Sequence, residues 1–223
     1  TRKAEGTLPK NPIVVKTIVT SELIRSIADK YNTETADLLT GFKYIGEKMT
    51  EFAETGSHTY LLGFEESYGY LVGTHARDKD GVVASMLIAE MAAYYKDKGM
   101  SLYEAMQNIY KKYGYTCEKT VSFTMPGKDG MEEMAKLLKN VRNNPPSEVD
   151  GKKVISMWDY QSQVITNSDG STDNIEGLPK SNVMRFNLDD EKTYFIIRPS
   201  GTEPKIKFYI GSNAESAEKA EQN

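Results

Sequence analysis

A chain of 223 residues, 39% hydrophobic and 27% charged, can bury one large core or two modest ones, and its formal charge of -4 excludes a general nucleic-acid surface while leaving room for a local basic pocket. Cys117 is the single cysteine, which excludes an internal disulfide and a cysteine zinc cluster and fits a reducing compartment, so the cytoplasm is the expected location. No apolar run approaches membrane-spanning length, and no membrane partner is expected.

The first half alternates strand and helix signals. Pro12-Ile-Val-Val-Lys-Thr-Ile-Val19 reads as a buried strand, and Ser21 stands where a helix cap belongs, ahead of Ile24, Ile27, Ala28 and Tyr31 at helical spacing. A second short strand is expected around Thr35–Leu39, followed by Thr40-Gly41 and a helix-like stretch over Phe42–Phe52. Tyr60-Leu-Leu-Gly-Phe64 reads as a third strand. Val83, Leu87, Met91 and Tyr94 then line one helical face, and Ser101 with Glu104 forms a capping box for a helix ending near Gly114. This order predicts an α/β layer with helices on both faces.

The second half changes character. A strand over Cys117–Met125 precedes Met131, Met134, Leu138 and Val141 at helical spacing, and Asn143-Asn-Pro-Pro146 breaks that helix. Strands are expected at Lys153–Asp159, Gln163–Thr166, Asn182–Leu188 and Thr193–Ile197, with a turn at Asn167-Ser-Asp-Gly170. An α+β domain is therefore expected after a boundary near residues 115–125. Ala214–Gln222 begins an amphipathic helix too short to bury much of itself.

Three loops carry the chemistry. Arg198-Pro-Ser-Gly-Thr-Glu-Pro-Lys205, between two strand sequences, combines the fixed charges of Arg198 and Lys205 with the hydroxyls of Ser200 and Thr202 and a glycine, Gly201, that lets backbone N–H groups approach an anion. It reads as a phosphate cradle, against the plainer reading of a turn with solvated charges. Gly63-Phe-Glu-Glu-Ser-Tyr-Gly69 places two carboxylates and a hydroxyl between glycines at a strand end, which suits a polyol and equally suits a solvated acidic turn. In His75-Ala-Arg-Asp-Lys-Asp-Gly81 an extended backbone would point His75, Arg77 and Lys79 to one side as a basic cluster, with Asp80 capping the next helix. His75 and Lys79 are candidates for proton transfer, and a Lys79 that only grips phosphate explains the same residues. His58 has no neighbouring motif, and two adjacent glutamates without further ligands do not complete a metal shell.

These three loops, in this order and spacing, resemble the third and fourth domains of the α-D-phosphohexomutases, nearest to the phosphoglucomutase/phosphomannomutase branch. Thr40-Gly-Phe-Lys43 resembles that family's loop beside the sugar ring, and Val15-Lys-Thr-Ile-Val-Thr-Ser21 the opening of its third domain, so the likeness covers nearly the whole chain. The resemblance implies a mixed-sheet α/β sandwich domain over residues 1–118, followed by an α+β, TATA-box-binding-protein-like C-terminal domain over 119–223. It also implies a reaction: a phosphoserine donates phosphate to a hexose monophosphate, the bisphosphorylated sugar reorients, and the other phosphate returns, interconverting 1- and 6-phosphates with Mg²⁺ as electrophile and glucose 1,6-bisphosphate as intermediate or activator.

By the same resemblance Thr40, Gly41, Glu65 and Ser67 recognise the sugar. Arg77, Arg198, Ser200, Gly201, Thr202 and Lys205 contact the substrate and its phosphate, while His75 and Lys79 line the reaction centre. Glu65-Glu-Ser67 favours glucose or mannose phosphates over amino-sugar phosphates.

The family's phosphoserine loop and metal loop are not found, and Asp189-Asp-Glu191 lacks the spacing of the latter. Both loops belong to the family's first two domains. The chain is thus expected to be the C-terminal part of a mutase, with the N-terminal domains as its missing partners and hexose phosphates as its ligands, and to be inactive alone. The other reading is a stand-alone, non-catalytic sugar-phosphate binding module.

Overall fold

The computed structural model describes residues 3–189, 193–200 and 203–222. The chain divides into two compact units, Thr1–Tyr115 and Thr116–Asn223.

The first unit runs β1 (Pro12–Thr17), α1 (Leu23–Lys30), β2 (Glu34–Leu38), α2 (Phe42–Thr55), β3 (Thr59–Glu65), β4 (Gly69–Val72), α3 (Gly81–Asp97) and α4 (Leu102–Tyr113). Its sheet has the order β2–β1–β3–β4, with β1 parallel to both β2 and β3 and β4 antiparallel to β3. This is the expected mixed sheet. A central parallel strand is covered on both faces, which explains why Pro12–Thr17 is buried almost throughout instead of alternating. Ile13, Val15, Ile45, Met49, Phe52, Tyr60 and Leu71 form its core.

Lys16 is completely buried within that strand. Its ammonium lies 2.9 Å from Asp37 Oδ1 and 3.3 Å from Glu22 Oε1, and Arg25 also pairs with both carboxylates. Two cations and two anions close the group, which is what a buried charge requires.

The helices behave unequally. Ser101 and Glu104 form the expected capping box, with Glu104 N–H donating to Ser101 Oγ at 3.2 Å and Ser101 N–H donating to Glu104 Oε2 at 2.8 Å. Ser21 Oγ accepts from Leu23 N–H at 3.2 Å at the start of α1. By contrast, α3 has no buried residue: Val83 and Leu87 are half-buried, while Met91 and Tyr94, expected on the same inner face, are exposed. Val82, Met86 and Ile88 are apolar and exposed as well. A helix apolar on all sides offers no single stripe by which to orient it. Among the described residues no helix is long and apolar enough to cross a membrane.

The second unit runs β5 (Tyr115–Thr124), α5 (Gly127–Asn143), β6 (Glu148–Val149), β7 (Lys152–Asp159), β8 (Val164–Asn167), β9 (Thr172–Asn174), β10 (Met184–Leu188), β11 (Tyr194–Pro199), β12 (Lys205–Ala214) and α6 (Ala217–Gln222). Its sheet has the order β5–β12–β11–β10–β7–β8–β9, and the pairs from β7 to β12 are antiparallel. β10 alternates buried and half-buried residues, as a sheet with one covered face should. Met134 and Leu138 of α5 pack with Met184, Phe186, Ile197 and Ile206 to form the core, while Met131 is exposed. Arg142 of α5 donates to buried Asp159 Oδ1 at 3.1 Å and to Asn182 Oδ1 at 2.8 Å, fixing the far end of the helix.

Candidate functional site

In the first unit segments 40–43, 63–69 and 75–81 meet at one carboxylate. Glu65, the last residue of β3, is 6% exposed. Its Oε1 accepts from the backbone N–H of Gly41 at 2.6 Å, and its Oε2 lies 3.2 Å from Lys79 Nζ. Gly41 precedes α2 without a side-chain cap, so Glu65 brings negative charge to the helix N-terminus, where the peptide dipoles favour it. Lys79 Nζ also donates to Ser67 O and Ser67 Oγ, both at 3.2 Å. The lysine stem crosses directly over Gly69, where a Cβ would stand 2.4 Å from Lys79 Cε. Any larger residue there would push the ammonium away from Glu65. Thr40 is half-buried beside this junction in sequence, and Ser67 is exposed.

His75, Arg77 and Lys79 do not follow the expected extended alternation. The segment bends repeatedly, and each side chain takes its own partners. His75 Nε2 bonds Asp80 Oδ2 at 2.7 Å, and Arg77 turns back to donate to Thr74 O and Ala76 O at 2.8 and 2.9 Å. Arg77 O presses on α2 at Gly46, where a Cβ would lie only 2.6 Å away. A bend is thus built into the loop by the close approach that Gly46 allows.

Asp80 caps α3, accepting from Val82 N–H and Val83 N–H, each at 2.9 Å. The bond to His75, followed by those to the two amides, holds the Asp80 carboxyl below the ordinary aspartate value of 3.8. The stability this carboxylate contributes is present above that value and is lost as pH falls through its lowered folded value. Unfolding free energy measured between pH of about 5 and about 3 is therefore expected to fall less in Asp80→Asn, which keeps a capping oxygen without the charge, than in the unsubstituted chain. Equal pH slopes would contradict this assignment.

The expected phosphate loop is the tip of the β11–β12 hairpin. Arg198 pairs with Lys207 and Pro199 with Ile206 in the antiparallel register, so the strands hold the loop from both ends. Ser200 N–H donates to Lys205 O at 2.8 Å, Glu203 N–H to Ser200 Oγ at 3.3 Å, and Lys205 Nζ to Glu203 Oε2 at 3.1 Å. Gly201 and Thr202 lie outside the described residues. Arg198, Pro199 and Ser200 face a cleft of about 370 Å³ shared with Ser181, Asn182 and Leu138. A larger cleft of about 610 Å³ in the same unit is walled by Val141, Leu188, Phe195, Phe208 and Ile210 and contains none of the expected site residues.

Reading the residues alone missed the bond from Gly41 to Glu65, because 24 residues separate the partners, and the Lys205–Glu203 pair, which two-residue spacing between charges in a turn does hint at. Among the described residues, no three His, Cys, Asp or Glu side chains gather as a metal shell, and Asp190 and Glu191 of the Asp189-Asp-Glu191 run lie outside them.

Residues 1–113 match the family described as phosphoglucomutase/phosphomannomutase, alpha/beta/alpha domain III. A phosphoglucomutase of Staphylococcus haemolyticus (strain JCSC1435) is 32% identical over 216 residues, which are 97% of this chain and 39% of that protein. One from Staphylococcus aureus (strain MSSA476) is 35% identical over 201 residues, 90% of this chain and 36% of that protein. Among solved structures, the open form of the Paramecium phosphoglucomutase parafusin is similar with a TM-score of 0.59 and 20% identity, covering 92% of this chain and 33% of that one. A phosphomannomutase-like protein of Thermus thermophilus has a TM-score of 0.58 and 16% identity, covering 99% and 36%. The two structures share the fold, and the chain spans well under half the length of these relatives.

Proposed function

From the premise that this chain belongs to the phosphoglucomutase/phosphomannomutase family, we infer that it supplies the sugar- and phosphate-recognition part of a cytoplasmic hexose-phosphate mutase. Residues 1–118 act as its third domain and 119–223 as its fourth. The observation that carries this reading is the junction at Glu65, where the Thr40, Glu65 and Lys79 loops meet through bonds of 2.6 and 3.2 Å. A half-satisfied carboxylate beside an exposed serine hydroxyl and an ammonium is a donor-acceptor set suited to vicinal sugar hydroxyls, since each carboxylate oxygen accepts more than one bond. Arg198, Ser200 and Lys205 then hold the phosphate that is not reacting. Lys205 Nζ donates to Glu203 Oε2 and, as an ammonium with three donors, has others for the phosphate.

Reorienting a bisphosphorylated sugar requires recognition of its hydroxyls and of one phosphate in either orientation; the Glu65 loop supplies the first and the β11–β12 hairpin the second. We assign to Lys79, which pairs with Glu65, the movement of a proton at the reacting oxygen, and His75, bonded to Asp80, lies in the same loop. Mg²⁺ supplies electrophilic assistance in the whole enzyme. Its ligands and the phosphoryl-carrying serine fall to parts of the relatives that this chain does not span.

Calorimetric titration tests the reading. Glucose 6-phosphate is expected to bind more tightly than inorganic phosphate, and Arg198→Ala to weaken both by roughly 10- to 100-fold, the loss of a charge-assisted hydrogen-bond donor. Unchanged affinity in Arg198→Ala would remove the hairpin from the site.

A further inference from the structure

The second carboxylate of the Glu65-Glu66 pair has no role in that reading, and its contacts run the other way. β3 ends at Glu65, and Glu66 opens the turn that leads to β4. Glu65 reaches Gly41 and Lys79, whereas Glu66 Oε2 lies 3.1 Å from Thr20 Oγ1 and 3.3 Å from Thr17 Oγ1, at the end of β1 and in the loop after it.

Counting protons orders this group. The two threonine hydroxyls lie 2.8 Å apart and own one proton each, so only two of the three contacts among Thr17, Thr20 and Glu66 can be hydrogen bonds at once. The two shortest make a chain in which Thr17 donates to Thr20 and Thr20 donates to Glu66. Thr20 O and Thr17 O in turn accept from the buried ammonium of Lys16 at 3.0 and 3.3 Å. Thr17 and Lys16 are 0% exposed and Thr20 is 4% exposed, so the threonine hydroxyls and the ammonium are shielded from water, while Glu66 closes the chain from the exposed side.

The loop needs such an anchor. Tyr68, immediately after Ser67, has φ of 59° in the left-handed region, which an aromatic residue seldom adopts, and it is 92% exposed. The tyrosine side chain does not hold that conformation, so the restraint comes from the β3–β4 pairing of Glu65 with Gly69 that closes the turn and from the contacts of the turn residues Glu66 and Ser67.

We propose that Glu66, backed by Thr20 and Lys16, is a positioning residue that holds the Glu65–Ser67 edge in the pose that receives the sugar. The proposal rests on the function inferred above. Two readouts separate them: amide hydrogen exchange of residues 66–70, which requires no ligand, and calorimetric titration with glucose 6-phosphate and with inorganic phosphate.

Glu66→Ala is expected to accelerate exchange of those amides at least tenfold and to lower glucose 6-phosphate affinity about tenfold, with phosphate affinity and melting temperature unchanged. Glu66→Gln, which keeps an acceptor for Thr20, stays near the unsubstituted chain, and Thr20→Val reproduces the loss. Unaltered exchange in Glu66→Ala overturns the proposal, as does faster exchange with unaltered sugar-phosphate affinity, or equal losses for both ligands. An unsubstituted chain that does not prefer glucose 6-phosphate to phosphate overturns the inferred function and the recognition role of Glu66 together, while the exchange result still decides whether Glu66 holds the loop.

Discussion

Phe186→Ala is expected to destabilise the second unit by about 4 kcal/mol, near the upper end for truncation of a core aromatic. Phe186 is completely buried and stands opposite both Phe195 and Met157 in the sheet register. It stacks on Phe195 with centroids 4.5 Å apart and an interplanar angle of 8°, and Met134, Leu138, Met184, Ile197 and Ile206 belong to the same cluster. Neighbours on both sides are held by ladder hydrogen bonds, and α5 is held at its far end by Arg142 on Asp159, so the space cannot close by a small backbone shift. Trp158, the single tryptophan, lies on β7 opposite Arg185, and its fluorescence reports on this unit in urea. A loss below about 1.5 kcal/mol would mean that the site collapses and that the packing argument fails.

In the first unit the largest effect is expected from Lys16→Met, at about 3 kcal/mol. Methionine keeps the unbranched stem and removes only the ammonium. Asp37 and Glu22 would then lose one of the two cations they share, and the carbonyls of Thr17 and Thr20 would lose a buried donor. Most of the cost is uncompensated negative charge and unpaired acceptors, not the loss of a strong bond. Lys16→Met with Asp37→Asn should therefore cost clearly less than the sum of the two single substitutions, measured by far-ultraviolet circular dichroism in urea. Additive losses would show that the four charges do not act as a group.

Much of this architecture was legible in the residues, and the exceptions have physical causes. β1, the two βα units and the β11–β12 hairpin announce themselves through β-branched runs, and the Ser101–Glu104 capping box through its spacing. β4 was missed: Gly69-Tyr-Leu-Val72 is short and bounded by glycines, and it becomes a strand because β3 offers it an antiparallel edge. Of the site, the loops were visible as motifs, while the junction that unites them at Glu65 was not. The supposed basic row at His75, Arg77 and Lys79 failed because Gly46, on a different element and far from the loop in sequence, lets the Arg77 carbonyl press onto α2 and bends the segment. Lys16 is the one charge within an apolar strand run, and only the tertiary placement of Asp37 and Glu22 makes its burial tolerable.

The exposed apolar sides of α3 have a calorimetric consequence. Heat capacity rises on unfolding because apolar surface becomes hydrated, and surface already hydrated in the native chain adds nothing to that rise. Val82, Met86, Ile88, Met91 and Tyr94 all meet water before unfolding begins. The first unit therefore carries a smaller heat-capacity increment than its length implies, and its stability curve is correspondingly flatter, changing little between cold and moderate temperatures.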